Sequence, residues 1–500
     1  MKRLIYIITL LFFSFTVVFA QNEVDALRYS LTFYGGTARA VSMGGAFGAL
    51  GGDFSAISYN PAGIGVYRST ELTFSPSLFY DNTSSNYLNS TFEDYKYNFN
   101  INNFGFVTTF KTNNDEGWVS TSLALGYNKL NNFNSRIRIE GICSNSSMLD
   151  YFASNATGYS EDNLYAFDEA LAWETYLIDT VTGGIYEYAT VLSLYGDAPE
   201  STYGQNQRRT INTKGSMGEY IIAFGANYSH KLYLGATFGY RKLRYVEHSE
   251  QLESNFDDDS SYAEILDLES FKYIQDLETR GQGYTFKLGF IYKPIDMLRI
   301  GGAIHLPTFY DLKDEYYTSL EANFAAGDSV NPPNIYAESP FLEYDYSLTT
   351  PFKAIGSVAL KIKKIALLSF DYEFIDYSTI RLRNGGDGYD FLDENDILQD
   401  CYKKSANIRT GAEVRLGPIS LRGGYAFYGS PYRSSEVNKN ANYSSFSGGI
   451  GFREKNVFFD IAYVNTIHNE RYYLYNHYLH DGAKFNSNDS KVLVTLGFKF

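Results

Sequence analysis

Two cysteines, two tryptophans, eleven prolines and six histidines in 500 residues deny several classes of protein their raw material. A disulfide-stapled scaffold or a Cys-based zinc site is out of reach, and Cys143 and Cys401 allow at most a single bridge between two polar connections. After residue 20 no apolar run approaches the roughly 20 residues that a spanning helix requires. A formal charge of -15 argues against nucleic acid as a partner. Catalytic signatures are missing as well. The glycine run at 44 to 52 lacks the Gly-Lys-Ser/Thr ending of a phosphate loop and no strand leads into it. Ala40-Val41-Ser42-Met43-Gly44 lacks the strand-turn-helix setting of a nucleophile elbow. Asp257-Asp258-Asp259 and Asp387, Asp390, Asp393 and Asp396 do not fit the spacing of a calcium loop and read as solvated acidic loops. The expectation is therefore a protein that is not an enzyme, with no catalytic residues, no metal and no cofactor.

What is present begins with a leader. Lys2 and Arg3 precede an apolar run from Leu4 to Phe19, and Val18-Phe19-Ala20 places small residues where a signal peptidase cuts before Gln21. Aromatics then reach 17%, with 46 Tyr and 38 Phe, a composition that suits a barrel with aromatic girdles.

From Ser69 onward the pattern is alternation of period two. Leu72, Phe74, Leu78 and Tyr80 share one face of a segment, and Glu71, Thr73, Ser75 and Ser77 the other. The same holds at Leu232 to Tyr240, at Tyr284 to Phe290 and at Ala406 to Val414, where the polar face is often charged. Short turns near 113–117, 229–231, 293–296, 363–364, 417–418 and 453–456 alternate with long polar connections near 82–96, 140–214, 250–269, 318–344, 385–402, 429–443 and 477–489. That asymmetry belongs to an outer-membrane barrel, and the segments between connections number about fourteen. Parity puts Glu219, Lys287, Arg299, Lys353, Asp371, Glu373, Arg409, Glu413, Arg415, Arg422 and Asp460 toward the lumen. The last segment, Lys491 to Phe500, ends on an aromatic and resembles the C-terminal signal read by the barrel-insertion machinery. In the longest connection Leu164, Phe167, Leu171 and Ile178 fall at helical spacing, with Ser160, Glu161 and Asp162 placed to start a helix that packs down on the barrel mouth.

One stretch stands apart. Gly35 to Ile64 is rich in Gly and Ala and buries too little apolar surface to stand alone. Its order Gly36-Thr37-Ala38-Arg39-Ala40, Gly45-Ala46, Asp53, Asn60-Pro61-Ala62-Gly63, between a leader and the first strand, resembles the N-terminal hatch of the FadL/TodX family of outer-membrane channels for long-chain fatty acids and other hydrophobic compounds. The resemblance implies an all-β fold: a fourteen-stranded antiparallel transmembrane barrel (69–500) plugged by a hatch (21–68) once the signal peptide (1–20) is removed. It also implies passive transport of a hydrophobic small molecule, most simply a long-chain fatty acid, by a monomer in the outer membrane of a Gram-negative cell. The exit would be lateral into membrane lipid, at a kink in the third strand, where Gly126 weakens the ladder and Asn128, Asn131, Asn132 and Asn134 interrupt the apolar face. Arg39 and Asp53 are the hatch charges expected to meet the lumen charges. Two other readings stand beside transport: a surface haem receptor using His477 and His480, and an outer-membrane lipid hydrolase, for which no motif anchors a Ser-His-acid set.

Overall fold

In the computed structural model of the chain, residues 23–500 are described apart from 113, 115, 195–203, 255–267, 326–332 and 476–481. The expected leader (1–20), Asp257, Asp258, Asp259, His477 and His480 lie outside the described residues.

Fourteen wall strands follow one another around a closed antiparallel barrel. They are β1 (Glu71–Tyr87), β2 (Ser90–Lys111), β3 (Trp118–Asn132 continued by Ser135–Ile142), β4 (Asn206–Tyr228), β5 (Leu232–Ser254) and β6 (Leu268–Ile295). Next come β7 (Leu298–His305 continued by Phe309–Phe324), β8 (Leu342–Thr349 continued by Lys353–Ile362) and β9 (Ala366–Asp376 continued by Arg381–Arg383). The wall ends with β10 (Lys404–Leu416), β11 (Ile419–Tyr428), β12 (Tyr443–Glu454), β13 (Val457–Tyr472) and β14 (Ala483–Lys499). Closure comes from β1 against β14, with Glu71 opposite Lys499 and Asn86 opposite Lys484. Pro307 and Pro351 fall in the interruptions of β7 and β8, as expected of a residue with no N–H to give the ladder.

The alternation is inside out relative to a water-soluble protein. In β9, Phe370, Tyr372 and Phe374 are 45%, 44% and 38% exposed, while Asp371 and Glu373 between them are fully buried. Slipping the strand by one residue would turn both carboxylates outward, so the charges themselves fix the register.

Two expectations about connections need correction. Residues 82–96 form no loop: β1 and β2 run on to a two-residue turn at Leu88-Asn89, both left-handed (φ 46° and 65°) as a tight hairpin demands. Alternation there is written in Tyr and Asn, which read as loop but sit in register. The loop helix is also shorter than its spacing suggests. A 3-10 turn covers Glu161–Asn163, and the helix itself, α5, is only Glu169–Glu174, so Leu164 and Phe167 precede it. The better-formed helix is α4 (Met148–Ala156), with a capping box between Ser147 and Asp150. Both pack with Leu149, Phe152 and Leu171 on Phe271, Tyr273 and Leu320 at the tall rim of β6 and β7. Cys143 and Cys401 are free thiols.

Inside the barrel sits the small-residue segment: α1 (Glu23–Ser30), α2 (Ala38–Ser42), α3 (Ala56–Tyr59) and a 3-10 turn, Pro61–Val66. Ala38, Ala40, Ala46, Ala49 and Ala56 are fully buried. Its fit depends on backbone contact. A Cβ on Gly44 would lie 2.7 Å from the Tyr425 carbonyl oxygen and 2.9 Å from that of Thr410, and the residue has φ +64°, so two reasons require glycine at that point.

Candidate functional site

The plug is held by polar groups on both sides of a narrow gap. Arg39, on α2, reaches the end of the lumen that carries the short turns and places Nε 2.9 Å from Glu413 Oε2. Glu413 also receives Arg422 Nε at 2.7 Å and Arg415 Nη2 at 2.7 Å, and Arg422 Nη1 contacts Asp460 Oδ1 at 2.5 Å. One carboxylate thus sits among three guanidiniums, one from the plug and two from the wall. Glu413 is buried, whereas the Arg415 side chain is 40% exposed at the mouth.

Asp53 does not join them. Its carboxylate accepts Thr37 Oγ1 at 2.8 and 3.0 Å and the Ser55 N–H at 3.0 Å, so it ties the plug to itself. A carboxylate three residues from a helix start finds local donors sooner than a wall across the lumen.

Asn60-Pro61-Ala62 forms the turn into the first strand. Asn60 Oδ1 caps the Ala62 N–H at 3.0 Å and Pro61 occupies the first position of the 3-10 turn, where its missing N–H costs nothing. Asn60 Nδ2 donates to the carbonyls of Gly48 (2.6 Å) and Phe290 (3.0 Å), which joins plug to wall.

Two more clusters lie in the wall. Glu219 accepts Lys287 Nζ at 2.7 Å and Arg241 Nε at 3.1 Å, all three fully or nearly buried. Glu373 accepts Arg409 Nη2 at 2.8 Å and Asn407 Nδ2 at 2.9 Å, and the Arg409 guanidinium lies 5.0 Å from the ring centroid of Tyr59 on α3. Asp371 accepts the Gly48 N–H at 2.9 Å. The sequence puts Arg241 on the polar face of its segment with Thr237 but does not mark it as one of the lumen charges. Nor does it mark His305, whose Nε2 lies 2.9 Å from the Tyr59 carbonyl, because a lone histidine on a wall strand carries no pattern.

The wall has a seam between β2 and β3 where the backbone ladder stops and side chains bridge the gap: Lys129 Nζ donates to Asn100 Oδ1, Lys96 Nζ to Asn212 Oδ1 at 2.6 Å, and Arg136 Nε lies 3.1 Å from Asp94 Oδ2. β2 and β3 pair from Lys111 opposite Ser120 to Asn103 opposite Asn128, and there the pairing ends. Beyond it β2 continues against β1, while the second half of β3 continues against β4. Gly126 lies within the intact ladder, opposite Gly105, and packs on Phe54; the divergence starts one step past Asn128. Two β3 carbonyls at the seam are taken by the plug, with the Phe33 N–H 2.8 Å from Leu130 O and the Gly35 N–H 2.8 Å from Lys129 O. Asn128 Nδ2 donates to Ser58 Oγ of α3 at 2.8 Å. A cavity of about 330 Å³ lies above the plug and extends to this seam, bordered by Tyr34, Phe79, Asn102, Asn132, Phe133 and Tyr428.

A closed fourteen-stranded antiparallel barrel preceded by an N-terminal helical segment is a FadL-like fold. The chain is similar to the crystal structure of a Pseudomonas aeruginosa FadL homologue, with TM-score 0.54, 11% identity, and 94% of this chain covering 100% of that one. It is also similar to the toluene transporter TodX of Pseudomonas putida, with TM-score 0.50, 12% identity, and 94% of this chain covering 100% of that one. No protein-family model matches the sequence, and no curated protein is similar to it in sequence.

Proposed function

We propose that the chain sits in the outer membrane and passes hydrophobic compounds, long-chain fatty acids first among them, from outside into the membrane without an energy source. The observation that carries this reading is the seam between β2 and β3, which starts beyond Asn103 and Asn128 and joins the cavity above the plug. Flanking it, Phe99 and Ile101 on β2 are 69% and 49% exposed on the outer face, a surface suited to lipid tails. A ligand would gather at the apolar rim, enter the cavity, and leave sideways through the seam while the plug blocks the straight path. Support for the setting comes from the exposed apolar belt around the barrel, from a leader expected at 1–20, and from the terminal Phe500, which would be read by the insertion machinery.

The test is lipid mass spectrometry of the protein purified in mild detergent, combined with uptake of a labelled fatty acid by cells that lack their own carrier. Enrichment of a fatty acid over the membrane background, with uptake that depends on the protein, is the expected result. Absence of both, or enrichment of haem alone, would overturn the reading.

A further inference from the structure

Outside the barrel, four tyrosines form an unbroken arc across β3 to β6. Tyr127 and Tyr220 ring centroids are 5.2 Å apart, Tyr220 and Tyr240 6.4 Å, and Tyr240 and Tyr284 5.5 Å. Such an arc marks the edge of the apolar belt. Lys242 and Arg244 lie two and four residues along β5 toward the tall rim, about 7 and 13 Å further along the tilted strand at the usual rise.

At that height the cross-strand register does something unusual. Arg244, Arg280 and Lys313 stand directly opposite one another on β5, β6 and β7. Three like charges on adjacent strands repel and are destabilising unless something anionic lies among them. Part of that need is met from the row above. Glu278 Oε1 takes Arg244 Nε and Arg280 Nε, each at 2.7 Å, and Glu343 takes Lys313 Nζ at 2.8 Å. Two guanidiniums therefore share the Glu278 carboxylate through Nε, Arg280 Nη1 lies 4.0 Å from a second carboxylate at Glu315 Oε1, and the two side chains are 61% and 58% exposed. Below the cations a depression of about 600 Å³ opens in the outer face. It is lined by Lys242, Arg244, Arg280 and Lys313 against the carboxylates of Asp311 and Asp345.

We propose that this depression binds the phosphate of an outer-leaflet lipid headgroup, with the acyl chains lying down the apolar wall below the tyrosine arc. The chemistry fits on two counts. A phosphate accepts several charge-assisted hydrogen bonds from guanidinium forks. The cations stand at headgroup height rather than in the belt or at the loop tips. The inference rests on the membrane setting proposed above and adds a partner to it.

Native mass spectrometry of the full chain in detergent, offered a phosphorylated glycolipid or the same lipid stripped of phosphate, tests it. The phosphorylated lipid should be retained about tenfold better, a difference of the size expected for two charge-assisted contacts. The double substitution Arg244→Gln and Arg280→Gln should erase that preference, and Lys242→Gln should reduce it, while millimolar inorganic phosphate should not displace the lipid. Equal retention of the two lipids, full retention by the double variant, or displacement by inorganic phosphate would each overturn the proposal. These side chains are exposed, and heat-modifiable gel mobility checks that each variant is folded. Fractionation separates this inference from the one before it. A wild-type chain absent from the outer membrane refutes the transport reading, whereas a chain correctly in the outer membrane but without lipid preference refutes only the headgroup site.

Discussion

Among the described residues Arg39 is the one plug side chain in the three-arginine cluster around Glu413, and the consequences of losing it follow from who remains. Glu413 keeps Arg415 and Arg422, so Arg39→Ala leaves no orphaned carboxylate. The cost should be about 1–2 kcal/mol of plug docking, less than the roughly 3–5 kcal/mol seen when a buried charge loses its last partner. The barrel should stay folded while the plug loosens, raising single-channel conductance in planar bilayers; unchanged conductance together with unchanged uptake would show that Arg39 is a passive peg. A second residue-scale prediction concerns the wall facing the Asn60 turn. A Cβ on Gly289 would lie 2.0 Å from Asn60 Oδ1, so Gly289→Ala must displace the Asn60 side chain from its cap on Ala62 and its bond to Phe290. Loss of a cap costs about 1 kcal/mol. Gly289→Ala should therefore mimic Asn60→Ala in conductance, and the two together should do little more than either. Additive effects in the double variant would mean that the glycine serves some other contact.

At the scale of elements, the proposed lateral route makes the third strand the one to test. Phe133 and Asn134 separate its two halves, and removing this pair keeps the inward and outward parity of everything that follows. Deleting both should straighten β3 against β2, close the seam and bring fatty acid uptake to background with the barrel still heat-modifiable; undiminished uptake would place the exit elsewhere. The loop helices carry a pH-dependent prediction. On α5, burial pushes the Glu169 carboxyl up to about 7, with the neighbouring Asp168 charge adding to it. A carboxyl raised in the folded state favours the fold fully below its ordinary value near 4.5 and loses that contribution as pH rises through about 7. Amide exchange in α4 and α5 should therefore be slower at pH 5 than at pH 8, after correction for intrinsic rates, and Glu169→Gln should flatten the difference. A pH-independent profile in the wild type would count against it. These elements also show what sequence can carry. The wall was legible because period two is local and the lumen charges punish a slip, as at Asp371 and Glu373. The seam was legible only as a weak place, because Asn128 says where an apolar face ends but not which neighbour a strand abandons. The extent of α5 is hard to read for a similar reason: Leu164 and Leu171 pack into the cluster at the β6–β7 rim and Phe167 lies 5.4 Å from the Tyr316 ring of β7, but an irregular segment can do that as well as a helix.

For the whole molecule, the question is whether plug and barrel need one another to exist. The segment 23–68 has no core of its own and depends on the wall. The wall depends on the plug much less, because its buried charges are matched mainly within the wall. Glu219 has Lys287 and Arg241, Glu373 has Arg409 and Asn407, and Asp460 has Arg422. Removing the plug would strip Asp371 of the Gly48 N–H, Lys353 of Thr32 at 2.5 Å and His305 of the Tyr59 carbonyl, and water entering the emptied lumen can replace all three. The carbonyls of Leu130 and Lys129 would be hydrated likewise, so the seam should persist without the residues that now line it from inside. A chain lacking 23–68 but keeping its leader should therefore still insert, remain heat-modifiable on gels, and pass ions with a large, steady conductance in place of a closed or flickering one. Uptake would then lose its selectivity, since a polar dye and a fatty acid would both cross. If that chain failed to assemble, the plug would have to act as a template for closing β1 on β14, and the self-sufficiency of the wall charges would be the wrong account of what holds the barrel together.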